Sequence, residues 1–216
     1  MIETATTHHG RKRTRRVRLN KTDTAAQAIG PLTESMEVYC LTFGQFSLID
    51  AIEHLVRQAG PCEVAVSTWT AATADAERAH TLLAEGNIRR FRLLVDSSFI
   101  SRQAAYCAEV TRLFGADAIR TTKTHAKFAA ITNDDWSIVV RTSMNLNHNP
   151  RLESIEISDD PDLAGFMAGI IDQVWAETPE GATRCEDLPI LAGMRTDDTP
   201  SPVAMGATVE VGKVAS

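Results

Sequence analysis

The sequence predicts an α/β protein: a mixed, mostly parallel sheet flanked by helices, with a C-terminal antiparallel hairpin that carries the candidate site. Three observations lead there. From Met36 onward, short runs rich in β-formers alternate with segments of helical period, each roughly a dozen residues long, the rhythm of βαβ units. After Ala118 the rhythm changes to strand-like runs joined by the turn-forming Asn133-Asp134-Asp135. The chain has 216 residues, 44% apolar and 23% charged, enough to bury one core. That composition excludes a collagen-like, disulfide-framework or wholly disordered protein.

The elements follow in order. Residues 1–35 are rich in Thr, Ala, Arg and Lys, lack apolar periodicity and read as a basic, disordered arm. Met36–Thr42 reads as a strand. Gln45 to Gln58 places Phe46, Leu48, Ile49, Ile52, Leu55 and Val56 at helical spacing, and Gly60-Pro61 ends it. Cys62–Ser67 is a second strand. A helix from about Ala74 to Glu85 ends before Gly86-Asn87. Arg90–Val95 is a third strand, and a helix over Ser101 to Phe114 stops at Gly115. Ala118–Thr122 is a short strand; Ala126–Thr132 and Trp136–Thr142 form the hairpin; Glu153–Ser158 is a further strand. The last helix opens at Asp160-Pro161-Asp162, with proline and acids in its first turn, and runs to about Ala176. The expected division is therefore a 1–35 arm, a 36–177 domain and a 178–216 flexible tail.

The net charge of −6 conceals a split. Residues 1–22 carry seven Lys/Arg and one Glu, whereas residues 23–177 carry twelve Lys/Arg against twenty-one Asp/Glu. A basic arm ahead of an acidic body suggests a polyanionic partner. The arm's Arg11, Lys12, Arg13, Arg15, Arg16 and Arg18 are candidate phosphate contacts, with Arg141 beside the hairpin. No aromatic residue is interleaved with them, so base stacking is not expected there. Cys40, Cys62, Cys107 and Cys185 form no CxxC pair and read as free thiols of a cytoplasmic protein. No secretory signal or membrane-spanning stretch is evident, and the histidines show no metal spacing.

The chemistry concentrates in Thr124-His125-Ala126-Lys127 and Thr142-Ser143-Met144-Asn145. Residues i and i+2 of a strand share a face, so His125 and Lys127 point together. A turn centred on Asp134 sets Ser143 opposite His125 and Arg141 opposite Lys127, with Asn145 just beyond. An imidazole, an ammonium and a hydroxyl then converge at one sheet edge. Such a set suits a phosphodiester: donors for its oxygens, and an imidazole as nucleophile or base. Trp69, after the second strand, and Asp96-Ser97-Ser98, after the third, are candidate rim segments.

These residues resemble the signature of the phospholipase D-like, or HKD, phosphodiesterase superfamily, single-motif nuclease-like branch. His125, Lys127, Ser143 and Asn145 match it, and Glu153 matches the trailing acid. The likeness extends over about residues 36–177. Two positions depart: Thr132 stands where the motif has Asp, and Thr142 replaces a glycine. The resemblance implies a metal-independent phosphodiester hydrolase, an endonuclease acting on DNA in preference to RNA, with no cofactor. It implies a phosphohistidine intermediate on His125, phosphate held by Lys127 and Asn145, support from Ser143, and Glu153 orienting His125. One motif per chain implies a homodimer that brings two copies of His125 together. The alternatives are a catalytically impaired DNA-binding or regulatory protein and, more weakly, a phospholipase.

Overall fold

The computed structural model describes residues 13–19, 24–146, 150–178 and 180–181. Among the described residues a single sheet holds eight strands: β1 (Thr14–Leu19), β2 (Met36–Thr42), β3 (Cys62–Thr68), β4 (Ile88–Asp96), β5 (Ile119–Thr122), β6 (Phe128–Thr132), β7 (Ser137–Thr142) and β8 (Glu153–Asp159). Their spatial order is β1-β2-β8-β7-β6-β3-β4-β5. β1 is parallel to β2, and β3, β4 and β5 are mutually parallel. The pairs β2–β8, β8–β7, β7–β6 and β6–β3 are antiparallel. The expected mixed sheet with its late hairpin is present. Its parallel share is smaller than the βαβ rhythm suggests, because β6, β7 and β8 insert between β2 and β3 instead of adding at an edge.

Among the described residues six α-helices accompany the sheet: α1 (Ala25–Ile29), α2 (Leu48–Ala59), α3 (Thr73–Ala84), α4 (Ser98–Arg102), α5 (Ala104–Phe114) and α6 (Pro161–Glu177). At the start of α2, the Ser47 N–H and hydroxyl both donate to Asp50 Oδ2, at 2.6 and 2.9 Å. Burial works against the charge of Asp50, but the Ser47 N–H and the Arg78 guanidinium outweigh it and hold the carboxyl below its usual range. Arg78 of α3 also bonds Glu53, which ties α2 to α3.

Strand alternation sorts the side chains into two layers. Val64 and Val66 face the larger core with Ile49, Ile52, Leu55, Ile131 and Val140, while Ala65 faces Ile171 and Val174 of α6. Burying each Leu or Ile of the larger core contributes about 1.5–3 kcal/mol. Trp136 packs on that core, and Trp175 of α6 donates its indole N–H to Asp117 O at 2.8 Å, so both are packing residues.

Two expectations need correction. The arm was expected to be unstructured through residue 35, yet residues 14–19 are a strand and residues 25–29 a helix. An edge strand exposed on both faces needs no apolar alternation, which is why its pattern resembles disorder. Its arginines find partners within the chain: Arg13 with Asp160, Arg15 with Glu37 (2.8 Å), Arg16 with Pro31 O (3.2 Å) and Arg18 with Gln27 O (2.6 Å). Arg11 and Lys12, and nearly all of the expected tail, lie outside the described residues. The helix expected over 101–114 is two helices, broken at Gln103 (φ −140°, ψ 48°).

Candidate active site

The candidate residues gather at one edge of the sheet. There β3 and β4 leave at Thr68 and Asp96, β7 leaves at Thr142, and β6 and β8 enter at Phe128 and Glu153. The C-terminal ends of the parallel strands thus open onto this edge, where α/β sheets form ligand crevices.

His125 and Lys127 lie in the link just before β6, which starts at Phe128 and not at Ala126 as expected, so Lys127 falls outside the strand. Three bonds hold this link. Thr124 N donates to Asp96 Oδ2 (3.2 Å), Ala126 N to Thr124 Oγ1 (3.2 Å), and Ser67 Oγ to Ala126 O (3.0 Å). The Lys127 ammonium donates to His125 O at 3.0 Å and lies 3.3 Å from Nδ1 of the same residue. An exposed imidazole and a half-buried ammonium therefore face one approach. Burial pushes the Lys127 ammonium below the usual lysine range, against the opposing charge of Glu153.

The hairpin register differs from the expected one by a single position. Phe128 pairs with Arg141 and Thr132 with Ser137, so Lys127 comes opposite Thr142, whose N–H donates to Lys127 O at 3.2 Å. The turn centres between Asp134 and Asp135 because Asn133 Oδ1 accepts from both Asp135 N (3.0 Å) and Trp136 N (2.8 Å). Ser143 is consequently not directly across from His125. Its hydroxyl donates to Glu153 and accepts from Ser154 N at 2.9 Å. Glu153 is thus engaged by Ser143 within one chain; a bond to His125 is not among the described hydrogen bonds. Arg141 pairs with Glu156 instead of standing free beside Lys127.

Asn145 follows the buried Met144, and its Oδ1 is buried without a hydrogen-bond donor among the described residues. The next residue fastens this loop to the rim after β3: Leu146 N donates to Thr70 O at 3.2 Å, and Ala72 N to Leu146 O at 2.8 Å. Neither departure from the motif intrudes on the site. The Thr142 hydroxyl donates to Ser154 O (2.7 Å) and accepts from Met144 N (3.0 Å), while Thr132 ends β6 at the turn, far from the edge.

Three neighbours complete the site. Asp96 braces the His125 link, and the Trp69 ring lies 5.8 Å from that of His125. The Arg102 guanidinium lies 4.1 Å over the Trp69 ring. Trp69 and Asp96 were legible as rim positions; Arg102 had no local signal, since its placement depends on the break at Gln103. Among the described residues no cluster of three or more His, Cys, Asp or Glu could hold a metal ion, and no helix is long and apolar enough to cross a membrane. Cys40, Cys62 and Cys107 are buried free thiols, whereas His148 and Cys185 lie outside the described residues.

No protein-family model matches the chain, and no curated protein matches it by sequence. Its structure is similar to several solved structures, one of them a phospholipase D family member. Nuc from Salmonella typhimurium, a phospholipase D family member, matches at 14% identity and TM-score 0.43, over 59% of this chain and 89% of its own. NucT from Helicobacter pylori matches at 14% and 0.46, over 67% of this chain and 99% of its own. Phosphatidylserine synthase from Haemophilus influenzae matches at 16% and 0.47, over 70% of this chain and 41% of its own.

Proposed function

We propose that this protein is a metal-independent phosphodiesterase acting on nucleic acid, through a phosphohistidine formed at a site that two copies of the chain share. The observation that carries the reading is the convergence of the His125 imidazole and the Lys127 ammonium on one open approach, beside Glu153, whose charge acts on Lys127 and which Ser143 bonds. His125 attacks phosphorus as the bond to the leaving oxygen breaks. A second copy of His125 protonates that oxygen, then accepts a proton from the water that hydrolyses the phosphohistidine. Lys127 and the Asn145 amide offset charge on the non-bridging oxygens. Ser143 and Glu153 hold the edge from which they act.

A second copy is supported by apolar groups at the site's margin. Phe43 and Leu152 are exposed, and they flank Thr42 and Glu153, which pair with each other across β2 and β8. Exposed apolar groups around a half-built site fit a self-complementary interface.

The test is hydrolysis of DNA, RNA and a bis-aryl phosphodiester in EDTA, by wild type and by His125→Ala. Wild type is expected to turn over at least one of them and the variant none. A wild type inert on all three sinks the reading; a variant as fast as wild type removes His125 from it.

A further inference from the structure

Of the described tryptophans, Trp69 alone stands at the catalytic edge. It is half-buried in the rim after β3, and its ring lies 5.8 Å from that of His125 at a tilt of 53°. The Arg102 guanidinium covers it, with Cζ 4.1 Å from the ring centroid. Arg102 donates to Ser98 Oγ (3.3 Å) and to Trp69 O (3.4 Å), and it is exposed.

No carboxylate partners Arg102 among the described residues, whereas Arg13, Arg15, Arg78, Arg92 and Arg112 each have one. A cation stacked on indole beside an imidazole–ammonium pair, reaching the Asp96 carboxylate only through the Ser98 hydroxyl, is a flat, positively charged platform. Unpaired nucleobases stack on aromatic and guanidinium planes, and neighbouring phosphates pair with the charge. A base inside a duplex has both faces occupied, so it cannot use such a platform. We infer that Trp69 and Arg102 form a subsite for a nucleotide flanking the scissile phosphate, which selects single-stranded nucleic acid. This inference rests on reading His125 as the phosphodiester site and narrows its substrate.

The experiment measures binding, so that it stands apart from turnover. The full chain carrying His125→Asn is titrated into labelled oligothymidylate of about a dozen nucleotides, an abasic strand of equal length, a duplex, and phosphatidylglycerol vesicles. The base-bearing strand is expected to bind about tenfold tighter than the abasic strand and the duplex, with quenching of tryptophan fluorescence. Adding Trp69→Ala abolishes that preference, Trp69→Phe keeps most of it, and Arg102→Lys weakens it by removing the planar cation. Circular dichroism identifies any variant that fails to fold, and the Phe and Lys variants then decide. Equal binding of base-bearing and abasic strands overturns the inference, as does a preference that Trp69→Ala leaves intact or a Trp69-dependent affinity confined to vesicles. A stacking preference intact in a protein whose wild type cleaves no phosphodiester would sink the proposed reaction and leave the subsite standing.

Discussion

Lys127 is where burial and chemistry act against each other. Partial burial lowers its affinity for a proton, and Glu153 recovers only part of the loss. Its ammonium therefore loses its proton at a lower pH than an ordinary lysine. Activity that depends on the charged form falls on the alkaline side at correspondingly lower pH. The contribution to stability has the opposite sign, because the unfolded lysine holds its proton longer and stability from this group rises over the same interval. Lys127→Arg keeps the charge and is expected to move the alkaline limb of kcat/KM upward; superimposable profiles would assign that limb elsewhere. Asp96 acts at one remove, as a positioning residue. It accepts from Thr124 N at 3.2 Å and from Ser98 N at 3.0 Å. Asp96→Ala frees the link before His125 and is expected to lower kcat by about a hundredfold with less change in KM. Asp96→Asn, which keeps a carbonyl acceptor, recovers part of the loss; a change confined to KM would contradict the positioning role. The turn chemistry of Asp96 is visible in Asp96-Ser97-Ser98, but its reach to Thr124 spans 28 positions and has no local signature.

At the scale of elements, strong local patterns were legible and pairings were not. Met36–Thr42 has the bounds its β-formers imply, and α2 ends at Gly60 as its punctuation implies. The hairpin was legible as a hairpin, yet its register depended on how Asn133 uses its side chain. One carbonyl oxygen serves two N–H groups and shifts the turn centre by half a position. The same residue donates to Ala59 O at 2.8 Å and so anchors the turn against the end of α2. Asn133→Ala removes both functions and is expected to cost about 1–3 kcal/mol, read as a lower urea midpoint with an unchanged slope. A midpoint equal to wild type would show that water replaces these bonds without loss. β1 escaped notice for a different reason. Its stability comes from pairing with β2 and from ion pairs such as Arg15 with Glu37, neither of which leaves a periodic apolar trace.

For the whole molecule, the sheet order fixes where the candidate residues open to solvent. Three antiparallel strands between β2 and β3 bring β6, β7 and β8 to the centre, so that the single His125-Lys127 pair opens at the middle of one sheet edge. That pair, the Ser143–Glu153 contact and the Trp69–Arg102 stack all lie at this edge, and among the described residues no second histidine joins them, since His54 bonds Gly30 O and His80 packs on Phe114. Two copies related by a two-fold axis supply it, because the same patch then faces itself. Mixing wild type with His125→Ala subunits under exchange tests the idea directly. If each shared site needs both imidazoles, only wild-type pairs work, and an equimolar mixture keeps about a quarter of the wild-type rate. Independent sites would keep about half, since every wild-type chain would turn over alone. Native mass spectrometry of the same mixture, which resolves the mixed dimer from both parent dimers, establishes that exchange has occurred. A rate linear in the wild-type fraction, measured on an exchanged dimer, would mean that the leaving-group acid lies in the same chain as the nucleophile.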